Sequence, residues 1–298
     1  MAESRPVVIT GASSGIGRAA ALRLARRNLP VVMVCREGAK ARAVHAEIVR
    51  LTGNRTVELE TADLSSMAEV RRVAQSIRNK HPGIGALINN AGAAFRDRRI
   101  SVDGIELTFA INHLAPFLLT NLLLDRLKAG APSRVVTVSS DLQRPLHLDD
   151  LDRHKSYDGL HVYAETKLAN LLFTFELARQ LKGTKVTANA LAPGFLRTAI
   201  MRNADARTRA LMLVLRLVMM EPAERGGDRI VYAATSPDLA GVSGEFLVKN
   251  QPAKASAQAY DTALAVQLWA ISERLTGLAP GPGPGMPARP QPPLEAGE

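Results

Sequence analysis

Tyr163 and Lys167 stand four residues apart in the run Tyr163, Ala164, Glu165, Thr166, Lys167. If that run is helical, both side chains leave the same face, because residues four apart lie one above the other. A phenol beside a fixed ammonium ionises more easily. Its unperturbed pKa is ~10, and bringing ionisation to about neutrality takes roughly 4 kcal/mol of preferential stabilisation of the phenolate. The pair is thus a candidate general acid–base. Two solvated side chains on a helix border would give the same spacing, so the chemical reading depends on what else the chain supplies.

A glycine cluster supplies a ligand site. Val7, Val8 and Ile9 form a short apolar run typical of a buried strand, which opens into Thr10, Gly11, Ala12, Ser13, Ser14, Gly15, Ile16 and Gly17. Beyond the glycines Ile16, Ala20 and Leu24 recur every four residues while Arg23, Arg26 and Arg27 face elsewhere, the pattern of an amphipathic helix. Strand, glycine turn and helix together make a phosphate site. The glycines let backbone approach a pyrophosphate, and the free amides of the helix start supply donors and partial positive charge.

The elements that must position these groups follow the same alternation. Strands are expected at 31–34, 56–59, 86–88, 134–138, 186–191 and 245–248, and helices at 40–51, 67–77, 107–127, 162–181, 206–220, 223–234 and 259–276. Such alternation implies βαβ units and an α/β fold: a single doubly wound, Rossmann-like parallel sheet of about seven strands with helices on both faces. In helix 162–181, Ala164, Leu168, Leu171, Leu172 and Phe175 form the apolar stripe, with Tyr163 and Lys167 at its border.

Composition narrows the function classes. The 298 residues are enough for one well-buried domain, expected over 1–278, and the Pro- and Gly-rich stretch 279–298 cannot bury a core and is expected to be disordered. One cysteine rules out an internal disulfide framework and fits a reducing cytoplasm. The polar start 1–6 lacks the pattern of a signal peptide, and the apolar run 210–220 is too short to span a bilayer and contains Arg216. A net charge of +10 raises the question of nucleic acid, but the basic residues are scattered and only 4% of residues are aromatic, so no nucleic-acid partner is expected. No metal site is expected either.

The glycines at 11, 15 and 17 read G-x-x-x-G-x-G, and with Tyr163 and Lys167 the chain resembles the short-chain dehydrogenase/reductase superfamily in its compact branch. The resemblance runs from Val7 to about Leu278. Asp63 and Leu64 after the third strand, Asn89, Asn90, Ala91 and Gly92 after the fourth, Asn112 in the next helix, Ser140 at the end of the fifth strand, and Pro193, Gly194 and Thr198 after the sixth all stand in the family's order. The resemblance implies that Gly11, Ser13, Ser14, Gly15, Ile16, Gly17, Asp63, Leu64, Asn90, Ala91, Gly92, Pro193, Gly194 and Thr198 line the cofactor, together with Tyr163 and Lys167. It assigns Ser140 to the substrate oxygen, leaves Ser139 as a strand-end hydroxyl, and gives Asn112 a water that passes protons toward Lys167. Asn89 and Asn90 could equally end a strand by bonding to backbone, and Asp63 could be a helix cap.

Cofactor choice turns on the end of the second strand, where an acid binds a ribose 2′-hydroxyl and an arginine accepts a 2′-phosphate. Cys35 and Arg36 stand there, so NADP(H) is expected, with Lys40 as a second cation. The resemblance implies hydride transfer from nicotinamide to a carbonyl carbon with proton donation by Tyr163, and the reverse for oxidation. The resemblance implies a substrate lid near 199–222, where Leu211, Met212, Leu213, Leu217, Met219 and Met220 would favour a bulky apolar carbonyl or alcohol; subunit packing or membrane-surface contact through its arginines is the alternative for 206–220. Cys35 with Arg36, Leu168–Asn170 after Lys167, and Leu268 with Trp269 look most like retinol-dehydrogenase-related reductases, in which a homodimer or homotetramer is expected. The alternative from another class is a catalytically silent NADP-binding redox sensor.

Overall fold

The computed structural model describes residues 5–153, 156–194 and 221–278. The strands are β1 (Val7–Thr10), β2 (Val31–Cys35), β3 (Val57–Thr61), β4 (Ala86–Asn89), β5 (Ser133–Val138), β6 (Val186–Ala192), β7 (Phe246–Val248) and β8 (Gln251–Pro252). They form one sheet in the order β3-β2-β1-β4-β5-β6-β7-β8. All neighbours are parallel except β7 and β8. The eighth strand goes beyond the expected seven; it is a two-residue return after Lys249 and Asn250, which both have positive φ.

Helices α1 (Gly15–Arg26), α2 (Ala39–Thr52) and α8 (Ala223–Thr235) cover one face of the sheet. The other face is covered by α3 (Met67–Lys80), the segmented helix α4 (Leu107–Phe109), α5 (Ala115–Leu122) and α6 (Leu124–Ala129), then α7 (Gly159–Gln180) and α9 (Thr262–Thr276). Both faces are dry, so strands carry unbroken apolar runs instead of alternating with polar residues. Val32 and Val34 of β2 enter one core cluster while Val31, Met33 and Cys35 enter the other.

Two helices differ from their sequence expectation. The long helix expected at 107–127 is interrupted by a π-helical turn at Ala110–Leu114 and again at Leu123 (φ −99°, ψ 2°). Helix α7 starts three residues early because Asp158 caps it, accepting from the amides of Leu160 and His161 at 2.9 Å each. It is also buried almost all round, from Val162 through Thr174, so Tyr163 and Lys167 lie inside the protein and not on a border. The cause is position: α7 is held between the sheet, the π-helical turn and α9, which leaves it little solvent-facing surface.

Candidate active site

Strand order reverses direction between β1 and β4, the crevice where doubly wound sheets bind nucleotides at their carboxyl ends. Gly11 follows β1 and Asn90 follows β4, so both turns face that crevice. Gly11 has φ +70° and a Cβ there would sit 2.9 Å from Ala91 Cα; a Cβ on Gly17 would run into Asn90 Nδ2 and Gly11 O. Only glycine allows this approach. Asn90 is the fastener: its Nδ2 donates to Thr10 O at 2.7 Å, and its own amide and that of Ala91 donate to Thr10 Oγ1 at 3.0 Å each. Asn90 Oδ1 is buried with no hydrogen-bond partner among the described residues. Asn89 points elsewhere, donating to Thr120 Oγ1 at 2.9 Å.

The amino end of α1 opens onto this turn. Ser14 is its N-cap, yet the Ser14 side chain makes no capping hydrogen bond and the first turn carries no acid. The leading amides and the positive end of the helix dipole are thus left for an anion. Arg36, just beyond β2, is exposed and has no hydrogen bond or ion pair among the described residues. Lys40 is exposed in the first turn of α2. Cys35 is buried, and its thiol is pushed up by burial against hydrogen bonds from the Ala12 backbone and the Ser13 side chain. Asp63 is not the cap of α3: that role belongs to Ser66, while Asp63 accepts from the amide and hydroxyl of Ser65 at 2.9 and 2.7 Å. These groups suit a nucleotide bearing a pyrophosphate and a further phosphate.

Lys167 is clamped at both ends to the carboxyl end of β5. Its Nζ donates to Val138 O at 3.0 Å, and its backbone carbonyl accepts from Ser139 Oγ at 2.7 Å. Ser139 is therefore spent on α7, whereas Ser140 is partly exposed and its Oγ accepts from the Leu142 amide at 3.0 Å. A Cβ on Gly92 would lie 3.5 Å from both Lys167 Nζ and Asn112 Oδ1, which places Gly92 against the ammonium. Asn112 sits in the π-helical turn, a feature often found at functional sites. Its side chain is fully engaged: Nδ2 donates to Ala93 O (2.9 Å) and Thr166 Oγ1 (3.0 Å), and Oδ1 accepts from Ala93 N (2.8 Å). Thr166 in turn donates to Tyr163 O at 2.7 Å. A relay running from Ala93 through Asn112 and Thr166 thus fixes the turn of α7 that carries Tyr163.

The electrostatics reverse the simplest sequence expectation. Burial pushes the Tyr163 phenol up to about 12 and the Lys167 ammonium down to about 8. The ammonium lies 5.3 Å from the centre of the tyrosine ring and bonds a carbonyl, so desolvation outweighs its pull on the hydroxyl. Several positioning residues carry no motif signal: Ser139, Thr166, and His113, whose buried ring meets Ser272 Oγ at 2.9 Å and is pushed down to about 3 by burial. Thr198, the lid near 199–222 up to residue 220, and the stretch 279–298 lie outside the described residues. A cavity of about 1060 Å³ lined by Gly85, Ser133, Arg134, Lys185 and Thr187 opens at the amino ends of β5 and β6, the opposite edge from Tyr163. Among the described residues no three metal-ligating side chains cluster, and no helix is long and apolar enough to cross a membrane.

A parallel sheet with a glycine turn at its switch point and a buried tyrosine–lysine pair at the same edge defines a nucleotide-binding oxidoreductase fold. The short chain dehydrogenase family profile matches residues 5–209, and the chain belongs to that family. Human retinol dehydrogenase 14 is 38% identical over 291 residues, covering 92% of this chain and 87% of the relative. Among solved structures, an uncharacterised protein from Mycobacterium paratuberculosis is 35% identical with a TM-score of 0.74, covering 92% of this chain and 93% of its own. A blue fluorescent protein from a metagenomic library, solved in complex with NADPH, is 27% identical with a TM-score of 0.65 over 82% of this chain and 95% of its own.

Proposed function

We propose that this protein is an NADP(H)-dependent oxidoreductase that moves hydride between nicotinamide and the carbonyl or alcohol carbon of a bulky apolar substrate, with Tyr163 as general acid–base. One observation carries the reading: the buried Tyr163 and Lys167 lie on the same sheet edge as the uncapped amino end of α1. Bound NADPH supplies the hydride. Tyr163, with its phenol pushed up to about 12, keeps its proton at neutral pH and can release it to a carbonyl oxygen as negative charge grows there. Ser140 accepts from Leu142 and keeps its own hydroxyl proton for the same oxygen. Lys167 stabilises the phenolate that remains and reaches the cofactor ribose.

Arg36 supports NADP over NAD, being an exposed guanidinium without a partner among the described residues, at the position where the 2′-phosphate belongs. Apolar substrates are supported by Leu142 and Leu160, which flank Ser140 and Tyr163 in sequence and are 39% and 48% exposed. The likeness to a retinol dehydrogenase points the same way, since retinol is a bulky apolar alcohol. The test follows NADPH absorbance with a panel of apolar aldehydes, ketones and quinones, for the wild type and Tyr163→Phe. Consumption that falls at least 10³-fold in the variant, with NADPH still bound, is the expected outcome. Tight NADPH binding without turnover across the panel would instead favour the silent redox sensor.

A further inference from the structure

Arg229 of α8 meets chain segments that are far apart in sequence. Its Nη1 donates to Pro193 O at 2.6 Å and lies 2.6 Å from Glu221 Oε2, the second a charge contact without hydrogen-bond alignment. Pro193 follows β6 and Glu221 precedes α8, so one guanidinium holds both flanks of the stretch between them. Gly194 has φ +92°, and a Cβ there would run into Arg229 Nη1; the guanidinium rests directly on the glycine. Asp141, the residue after Ser140, also stands in the field of Arg229 and Lys249.

The helix that carries Arg229 is itself registered to the phosphate helix. A Cβ on Gly227 would lie 2.7 Å from Ala19 Cβ and 2.9 Å from Ala20 N, so α8 packs against α1 at a distance only glycine permits. Arg23 of α1 pairs with Asp228 of α8 at 2.6 Å. The Arg229 side chain is 10% exposed. Buried ion pairs add little net stability, and a planar guanidinium with donors in a fixed plane is suited to holding a geometry.

We propose that Arg229 is a positioning residue that locks the Pro193–Gly194 corner to α1, so that the nicotinamide half of the dinucleotide is registered against Tyr163 separately from the adenine half. This rests on the NADP(H) reading given above. The glycine turn and Arg36 hold the pyrophosphate and 2′-phosphate end; Arg229 touches neither and acts only on the corner after β6, the strand that pairs with β5, whose end carries Ser139 and Ser140 against Lys167.

The two halves can be probed separately. NADPH and adenosine 2′,5′-bisphosphate, which carries the adenine end without nicotinamide, are titrated calorimetrically into the wild type, Arg229→Met and Arg229→Lys. Arg229→Met is expected to bind the bisphosphate within about twofold of wild type and NADPH about tenfold more weakly, the loss of one charged hydrogen bond, with Arg229→Lys between. Equal loss on both probes would show a general structural role and overturn the proposal, as would unchanged NADPH affinity. If Arg229→Met does not fold, Arg229→Lys carries the same comparison. A wild type that binds neither probe would refute the NADP(H) reading itself, a result distinct from a failure of Arg229.

Discussion

Replacing Lys167 by methionine removes a buried charge while keeping most of the side chain's volume. Lys167 is 3% exposed, its ammonium bonds only Val138 O among the described residues, and burial pushes it down to about 8 from an ordinary 10.5. In the unfolded chain the amine keeps its proton until about pH 10.5; in the folded chain it releases it near pH 8. Between those values the unfolded state binds more protons, so the free energy of unfolding must rise with pH. From pH 7 to pH 10 this one group contributes a rise of about 2.5 kcal/mol, since one pKa unit is worth about 1.4 kcal/mol. Below pH 7 the charged amine costs the fold its full desolvation, offset by the hydrogen bond to Val138 O.

Urea unfolding of wild type and Lys167→Met at pH 7, 8, 9 and 10 reads this directly, because groups distant from Lys167 cancel in the difference and Tyr163 beside it, pushed up to about 12, keeps its proton in the fold across this range. At pH 7 the two should lie within about 1 kcal/mol, as lost desolvation and a lost charged hydrogen bond worth roughly 1.5–3 kcal/mol oppose each other. By pH 10 the wild type should be the more stable by about 2.5 kcal/mol beyond its margin at pH 7. A difference that stays flat across this range would refute the desolvated placement of the ammonium. In the same variant the proposed function, in which one ammonium serves both the phenol and the ribose, calls for turnover to fall by about 10²–10⁴ and for NADPH affinity to drop.

If Arg36 holds the 2′-phosphate as proposed, Arg36→Ser should raise the KM for NADPH by about tenfold or more while leaving that for NADH nearly unchanged; equal effects on both would contradict the assignment. Gly17→Ala puts a Cβ into Asn90 Nδ2 and Gly11 O, so it should cost about 1–3 kcal/mol in thermal unfolding and abolish NADPH binding, measured by Tm and by fluorescence titration.

Much of the edge of the site was readable from spacing because spacing is what a local element preserves. Tyr163 and Lys167 announce a shared face of a helix, and the glycines at 11, 15 and 17 announce a turn followed by a helix, whatever lies elsewhere in the chain. Groups that act through distant backbone were not readable. Lys167 Nζ finds Val138 O 29 residues away, and Arg229 finds Pro193 O 36 residues away, and no local pattern marks either. The break at Ala110–Leu114 did leave a sequence signal: Pro116 just beyond it has no N–H to continue an α-helix and stands in the first turn of α5, and the interruption coincides with Asn112 bonding across to Ala93 and Thr166. The sequence expectation for the phenol missed its sign for a related reason. The i to i+4 spacing places a charge near a ring but does not say how much water the fold removes from both, and at Tyr163 that removal decides the shift.

The pair sits at a sheet edge because β5 can hold Lys167 there at two points. A helix alone could hold Tyr163 and Lys167 on one face, yet their reach toward a third group would drift with any tilt of the helix. Ser139 Oγ bonds the Lys167 carbonyl and Val138 O takes its ammonium, so two consecutive residues at the end of β5 grip both ends of one lysine. The next residue, Ser140, is thereby set beside α7 by covalent geometry, and Gly92 at the end of β4 closes against the ammonium. Because β4 also pairs with β1, which leads into the glycine turn, the ammonium and the amides of that turn are referenced to the same rigid strands. A lysine desolvated enough to fall to about 8 is tolerable there only because Val138 O, a backbone acceptor at the free end of the ladder, is available to it.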